Sequence, residues 1–141
     1  AYIGKNEHDE IGTLWGALGP RWPEFEHPSH LAYGVCRMLT PEEAATQPEG
    51  AFAYLAGAEQ RAPGVVPAGM EVWTVAPGLY AAFDCTLPTI REAYNYAWQT
   101  WLPGSSAYVY RAAPDFEMYP ATFDPAGGNQ DMTIYIPIQP K

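Results

Sequence analysis

Basic residues are scarce in this sequence of 141 residues. Lysine and arginine together number 7 against 16 acidic residues, so the formal net charge is −9 at pH 7. A stand-alone nucleic-acid-binding protein needs a stripe of basic side chains to displace the counterions of phosphates. We therefore predict no direct nucleic-acid binding, and the field of the chain attracts cations, although solubility alone explains the acidity equally well. The seven bases stand singly at Lys5, Arg21, Arg37, Arg61, Arg91, Arg111 and Lys141.

Cysteine and long apolar runs are also rare. Cys36 and Cys85 lie far apart with no second cysteine at metal-ligand spacing, which excludes a zinc ribbon and a disulfide-rich scaffold. Both lie in apolar segments and are predicted to be buried free thiols, with a single bridge as the alternative. No signal peptide and no apolar stretch near 18 residues is found, so we expect a cytoplasmic protein without a membrane partner. The abrupt, strand-like start at Ala1 favours a trimmed chain or a domain cut from a longer one.

Sequence patterns for cofactors and covalent catalysis are missing as well. His27 and His30 form a loose His-x-x-His, which we interpret as two exposed loop histidines because no cysteine or acid stands at ligand spacing. Gly127 and Gly128 are typical of a hairpin loop, not of a phosphate cradle. No serine nucleophile elbow and no cysteine–histidine pair is evident. The sequence therefore predicts no cofactor and no metal.

Regular structure is indicated twice along the chain, in two similar halves of about residues 1–76 and 77–141. In each half a strand is followed by one amphipathic helix that ends in glycine and proline, and then by two or three strands. One helix cannot cover a core alone, so the strands are expected to join. We predict an α+β fold in which a pseudo-two-fold tandem repeat of strand–helix–strand–strand units forms one curved antiparallel sheet. Both helices would lie on one face, leaving a ligand cleft at the seam or on the other face.

Seven short segments, each weak alone, form an ordered set over nearly the whole chain. They are Glu10, Ile11, Leu14 and Trp15 in the first helix, Tyr33 to Val35, and residues 51–59 (F-x-Y-x-x-G-x-E), 78–83, 94–103 (a Y-x-Y helix that ends in W-L-P), 116–119 (F-E-x-Y) and 134–138 (I-Y-I-P-I). Together they resemble the GyrI-like small-molecule-binding domains. The resemblance covers a single domain of residues 1–141.

The resemblance implies the duplicated fold described above and a binding function. Members of that family include the ligand-sensing domains of multidrug-responsive MerR-type and AraC-type regulators and stand-alone binding proteins. Others are a gyrase inhibitor and hydrolases that open the cyclopropane of cytotoxic natural products. No helix-turn-helix is found in this sequence. The implied partner is a lipophilic cationic or aromatic small molecule, and a regulator's DNA-binding domain would have to lie in a longer chain.

Glu117 is the acid on which the functional hypothesis depends. Strand alternation places Glu117 and Tyr119 on one face and Phe116 and Met118 on the other, which is the more natural core face. A carboxylate in a partly apolar cleft is costly to desolvate unless a partner offsets that cost, and a lipophilic cation stacked on nearby rings would do so. The alternatives are a solvated glutamate or an ion pair with Arg111 or Arg91.

The predicted ligand-binding set also contains residues that the resemblance or pseudo-symmetry suggests. Besides Glu117 and Tyr119 these are Tyr80, Tyr54, Tyr33, Glu59, Trp101 and Tyr135. Three functions remain open. A non-catalytic binder is favoured; the alternative is a cyclopropane-opening hydrolase with Glu117 as general base and Tyr119 as proton donor or orienting group. The third is a protein partner, such as gyrase, whose DNA the acidic surface would mimic.

Overall fold

The computed structural model describes residues 1–24, 31–60 and 66–141. The chain forms two compact units, Ala1–Thr74 and Val75–Lys141. Both combine helices with antiparallel strands, so the α+β class is confirmed. Within the described ranges no helix is long and apolar enough to cross a membrane. His27 and His30 lie outside those ranges.

The first unit is a three-stranded sheet with one main helix. Its elements are β1 (Tyr2–Gly4), α1 (Glu10–Leu18) with a following 3-10 turn (Gly19–Glu24), β2 (Ala32–Arg37), α2 (Pro41–Ala44) and β3 (Phe52–Gly57). β3 pairs antiparallel with β1 on one side and with β2 on the other. Tyr54 of β3 is 1% exposed, and its hydroxyl accepts a hydrogen bond of 3.0 Å from the Trp15 indole N–H of α1. The helix therefore lies on the Tyr54 face of this sheet.

The first unit departs from its local sequence patterns at two places. Asp9 precedes α1 but makes no side-chain cap, because its backbone is left-handed (φ 56°); the Asn6 side chain accepts from the Ile11 N–H at 3.0 Å instead. Residues 71–75 form no strand. Trp73 packs under the Arg37 guanidinium, 4.7 Å from the ring centre, and does not take a place in a ladder.

The second unit is built around one long strand. Its elements are β4 (Leu79–Thr86), a 3-10 turn (Leu87–Thr89), α3 (Ile90–Tyr96), a π-helical turn (Ala97–Trp101) with a last helical turn (Leu102–Gly104), β5 (Tyr108–Tyr110), β6 (Asp115–Tyr119) and β7 (Asp131–Pro140). β7 pairs antiparallel with β4 along one edge and with β5 and β6 along the other. In both units the last strand thus lies between the first strand and a middle strand.

The core of the second unit lies on one face of β7. Met132, Ile134, Ile136 and Ile138 alternate along the strand and are each at most 6% exposed. Such alternation is what a sheet with one buried face requires. Cys36 and Cys85 are free thiols, so the single-bridge alternative is wrong, and both are only half-buried, so the burial predicted for them is wrong too.

Candidate functional site

Glu117 lies in a row of side chains that crosses three strands of the second unit. β6 pairs Glu117 with Ile134 of β7, and β7 pairs Ile134 with Phe83 of β4. Directly opposed residues of antiparallel strands project to the same side. Glu117 therefore shares a face with the isoleucine core of β7.

The helical segment that starts with α3 lies on that face. The Phe83 ring meets Tyr96 at 6.1 Å and Trp101 at 5.5 Å between ring centres, both edge to face. The Tyr94 hydroxyl of α3 is 3.4 Å from Glu117 Oε2. The row is thus bounded by helix side chains at the Phe83 end and at the Glu117 end.

The Glu117 carboxylate is 7% exposed. The Tyr119 hydroxyl, itself on an 8% exposed side chain, donates to Glu117 Oε1 at 2.7 Å. That length is typical of a strong hydrogen bond to a charged oxygen, whereas 3.4 Å to Tyr94 is long and weak. The Tyr119 contact confirms that Glu117 and Tyr119 share a face. The expected direction of that face is wrong: Phe116 and Met118 are only half-buried, since the helix packs on the carboxylate side.

A second carboxylate lies two residues along the same strand. Asp115 alternates onto the Glu117 face, and desolvation raises the pKa of its carboxyl from 3.8 to about 6. The negative charge of Glu117 raises that pKa further, while a backbone hydrogen bond and the Tyr94 hydroxyl lower it. Desolvation also raises the pKa of the Cys85 thiol, followed by the charges of Glu117 and Asp84. This face of the second unit therefore concentrates negative charge in a poorly solvated place.

An open groove of about 530 Å³ runs beside this row, at β4 and α3. Phe83 and Tyr96 supply rings to its walls, and Asp84 and Glu92 supply carboxylates. Its volume falls within the usual range of small-molecule sites. The remaining lining residues are Ala82, Cys85, Thr89 and Ala93.

The structure groups the sequence-predicted residues in three places. Glu117, Tyr119 and Trp101 belong to the helix-covered face of the second unit. Tyr80 and Tyr135 lie on its opposite face, because Tyr135 is paired with Phe116, and Tyr80 is paired with Pro137 two residues further along β7. In the first unit, Tyr54 is buried under Trp15. There, too, the Tyr33 hydroxyl donates to the exposed Glu59 at 2.9 Å.

Two residues beside Glu117 escaped the sequence reasoning. Tyr94 belongs to the apolar stripe of the helix, where a packing role is the simplest interpretation. Asp115 follows Pro114, a pairing typical of a turn, although its spacing of two from Glu117 is the signal for a shared face. Strand alternation extended by one residue would have found Asp115. No sequence pattern predicts that Tyr94 reaches across to β6.

This arrangement suits two kinds of chemistry. A buried carboxylate bounded by aromatic rings can hold a cation, because the ring faces and the acid attract it together. The same carboxylate, hydrogen-bonded to a phenol, can accept a proton from water.

Known proteins similar to this chain are effector-binding and regulatory. Residues 1–138 match the family of Cass2, an integron-associated effector binding protein. The chain is also 34% identical over 142 residues to the transcriptional regulator BrlR of Pseudomonas aeruginosa, an alignment that covers 97% of this chain and 49% of that protein. The chain thus spans about half the length of that curated relative.

Proposed function

The chain belongs to the family of integron-associated effector-binding proteins, and from this premise we propose that its effector is a flat, lipophilic, cationic small molecule. Small-molecule binding itself follows from family membership. The chemistry of the ligand and the residues that contact it are our proposal. It rests on one observation: a glutamate that is 7% exposed lies under a helix, among aromatic side chains.

Burying the Glu117 carboxylate has a free-energy cost. Removing a carboxylate from water is unfavourable unless hydrogen bonds and an opposite charge replace its hydration. The hydroxyls of Tyr119 and Tyr94 supply part of that replacement. A bound cation would supply a further part through direct attraction and through contact with ring faces. Such a site selects for charge and flatness more than for detailed shape, so we expect it to accept several ligands.

Access is proposed through the groove at β4 and α3. Phe83 lies both in the wall of that groove and in the row that leads to Glu117. Asp84 and Glu92 at the groove would attract a cation before it reaches the buried acid. The weak bond of Tyr94 to Glu117 is the one that an incoming ligand would displace at least cost.

Other parts of the sequence hypothesis stay predictions. These are the pseudo-two-fold repeat with its seam cleft, the single domain of residues 1–141, and ligand contacts by Tyr33, Tyr54, Glu59, Tyr80, Trp101 and Tyr135. Cytoplasmic residence, a regulator's DNA-binding domain in a longer chain and binding to gyrase are predictions of the same kind.

The test compares a planar cation with a neutral molecule of the same shape. Tryptophan fluorescence quenching is measured for N-methylacridinium and for N-methylacridone, with wild type and Glu117→Gln. We expect micromolar binding of the cation, at least tenfold weaker in Glu117→Gln, and less than twofold change for the neutral molecule. Glu42→Gln, an exposed glutamate of α2, is the matched control. Equal cation affinity in Glu117→Gln, or no binding by a panel of planar cations, would refute the proposal.

Hydrolysis of strained rings is the second candidate, favoured by the 2.7 Å hydrogen bond between Tyr119 and Glu117. Glu117 would take a proton from water as the water oxygen bonds to one ring carbon and the strained C–C bond breaks. Tyr119 would orient or protonate the carbon that keeps the electron pair, and Glu117 would return its proton to the tyrosine. Incubation with a cyclopropane-bearing alkylating agent distinguishes the two candidates. Ring-opened product with wild type, lost in Glu117→Gln while binding persists, selects the hydrolase. Absence of product rejects it for that substrate.

A further inference from the structure

Arg111 is a half-buried cation held by backbone oxygens. Its Nε–H donates to the Ile138 carbonyl at 3.4 Å, and Nη2 donates to the Leu79 carbonyl at 3.3 Å. The guanidinium carbon lies 5.0 Å from the centre of the Tyr80 ring. In the described part of the chain, the ion pairs are made by Lys5, Arg21 and Arg37, and Arg111 has no acidic partner.

An aromatic row continues from that arginine across the sheet of the second unit. The Tyr80 ring meets Phe116 edge to face at 5.2 Å, and Phe116 stacks on Tyr135 at 4.7 Å with 16° between the planes. All three side chains are half-buried. They lie on the face opposite Glu117, away from the carboxylate at the centre of the proposed cation site.

Gly78 provides the space in which the guanidinium lies. A Cβ at that position would be 2.6 Å from Arg111 Nη2 and 2.7 Å from Cζ, closer than non-bonded atoms approach. A guanidinium has five N–H donors, and the two carbonyls named above take two of them. The other donors have no hydrogen-bond partner among the described residues, and their forked geometry matches a carboxylate.

We infer that Arg111 and the row Tyr80–Phe116–Tyr135 form a second ligand site, for a small planar aromatic molecule that carries a carboxylate. The guanidinium binds the carboxylate, and the ring of the ligand packs on the aromatic row. The net charge of −9 opposes anions at long range, so selectivity for this ligand depends on the local charge of Arg111. A neutral analogue would lose that attraction and keep only the ring contact.

The probe is 2-naphthoate, compared with neutral 2-naphthylmethanol by titration and by the aromatic NMR signals of the protein. We expect 2-naphthoate to bind at least tenfold more tightly than the alcohol and to shift signals of Tyr80, Phe116 and Tyr135. Arg111→Gln should weaken the binding of 2-naphthoate at least tenfold. Arg91→Gln, which removes an exposed arginine of α3, should change it less than twofold.

Gly78→Ala is the second variant, because a methyl group there displaces the guanidinium while the charge remains. Gly78→Ala should weaken the binding of 2-naphthoate severalfold, so the inference can be tested even if Arg111→Gln does not fold. Binding of N-methylacridinium, measured in the same variants, reports separately on the proposed cation site. Equal affinity for the acid and the alcohol, unchanged affinity in both variants, or shifts confined to other residues would each overturn the inference.

Discussion

Glu117 is 7% exposed, and tyrosine hydroxyls lie beside its carboxylate. Tyr119 donates at 2.7 Å and Tyr94 lies at 3.4 Å, so the two hydroxyls contribute unequally. A hydrogen bond to a charged group is worth about 1.5–3 kcal/mol when the geometry is good. Residue chemistry therefore assigns most of the local stabilisation to Tyr119.

Two conservative variants measure how much the Tyr119 and Tyr94 hydroxyls each contribute to stability. Tyr119→Phe should lower the free energy of unfolding by about 1.5–3 kcal/mol, because it leaves a buried carboxylate oxygen without its strong donor. Tyr94→Phe should cost less than Tyr119→Phe, about 1 kcal/mol, because its hydrogen bond to Glu117 is already long and the other hydrogen bond it loses goes to the less buried Asp115 carboxyl. Urea denaturation of both variants gives the comparison. A larger loss in Tyr94→Phe would contradict the assignment.

Asp115 predicts a distinct dependence of stability on pH. Its carboxyl has a pKa of about 6 in the folded chain, above the ordinary 3.8, so the folded state holds the proton more tightly than the unfolded state. This carboxyl therefore lowers stability above pH 6, and the loss is recovered as the pH falls from about 6 towards 4. Asp115→Asn should be more stable than wild type by roughly 1–3 kcal/mol at pH 7.5.

Urea denaturation at several pH values checks this. The advantage of Asp115→Asn should shrink to near zero at pH 4, where the wild-type carboxyl is protonated in the folded state. An advantage that does not vary between pH 4 and 7.5 would show that the charge of Asp115 is not its cause. Asp131→Asn, an exposed acid at the start of β7, is the control for a charge change alone.

Among the elements, α2 shows how closely a short motif determines local structure. The Thr40 hydroxyl accepts from the Glu43 N–H, the Glu43 side chain accepts from the Thr40 N–H, and Arg37 clamps the same carboxylate. The sequence Thr-Pro-Glu-Glu is typical of a capping box, and both of its hydrogen bonds are formed here. The hydrogen bond to Arg37, and next the one to the Thr40 backbone, lower the pKa of Glu43 to about 2.

Glu43→Gln should therefore lower the thermal midpoint at pH 7. The folded pKa of Glu43 is depressed, so its stabilising contribution is present above the ordinary value of 4.5 and is lost as the pH falls through about 2. The difference in thermal midpoint between wild type and Glu43→Gln should therefore disappear as the pH falls from 4.5 to about 2. Thermal midpoints of both proteins, measured by circular dichroism between pH 2 and 7, test this prediction. A midpoint difference that stays constant with pH would contradict it.

Element types were predictable from the sequence where the pattern was local. Both main helices, the capping box and the strand alternation around Glu117 follow from residues within one or two turns of each other. Residues 71–75 contain two valines and a tryptophan, a composition typical of a strand, yet they form none, and Trp73 instead contacts Arg37, 36 positions away in the chain. The prediction that Phe116 and Met118 lie on the core face was wrong because tertiary packing decides which sheet face a helix covers.

The helix that covers Glu117 has an irregular middle. At Leu102 the backbone N–H bonds to the Ala97 carbonyl five residues back, which defines the π-helical turn. Such turns are rare and are found frequently at functional sites. Trp101 ends this turn and meets Phe83 of the row that leads to the acid. The proposed cation site is therefore bounded by a helix whose hydrogen bonding is less regular than that of α1.

For the whole molecule, an ordered set of weak motifs carried more information than any single one. The family could be predicted because seven different motifs follow one another in order over most of the chain. The α+β class could be predicted because each half contains strands and one main helix. Contacts of Tyr94 with Glu117, and of Arg111 with Tyr80, could not be predicted, since each joins residues at least 23 positions apart.

The central claim is that Glu117 receives a cation, and a crystal structure of the protein with N-methylacridinium tests it most directly. We predict that the ligand nitrogen lies within about 5 Å of the Glu117 carboxylate, with Tyr94 displaced and the acridinium ring against neighbouring aromatic side chains. The contrary result is acridinium bound elsewhere while Tyr119 and Tyr94 still enclose Glu117.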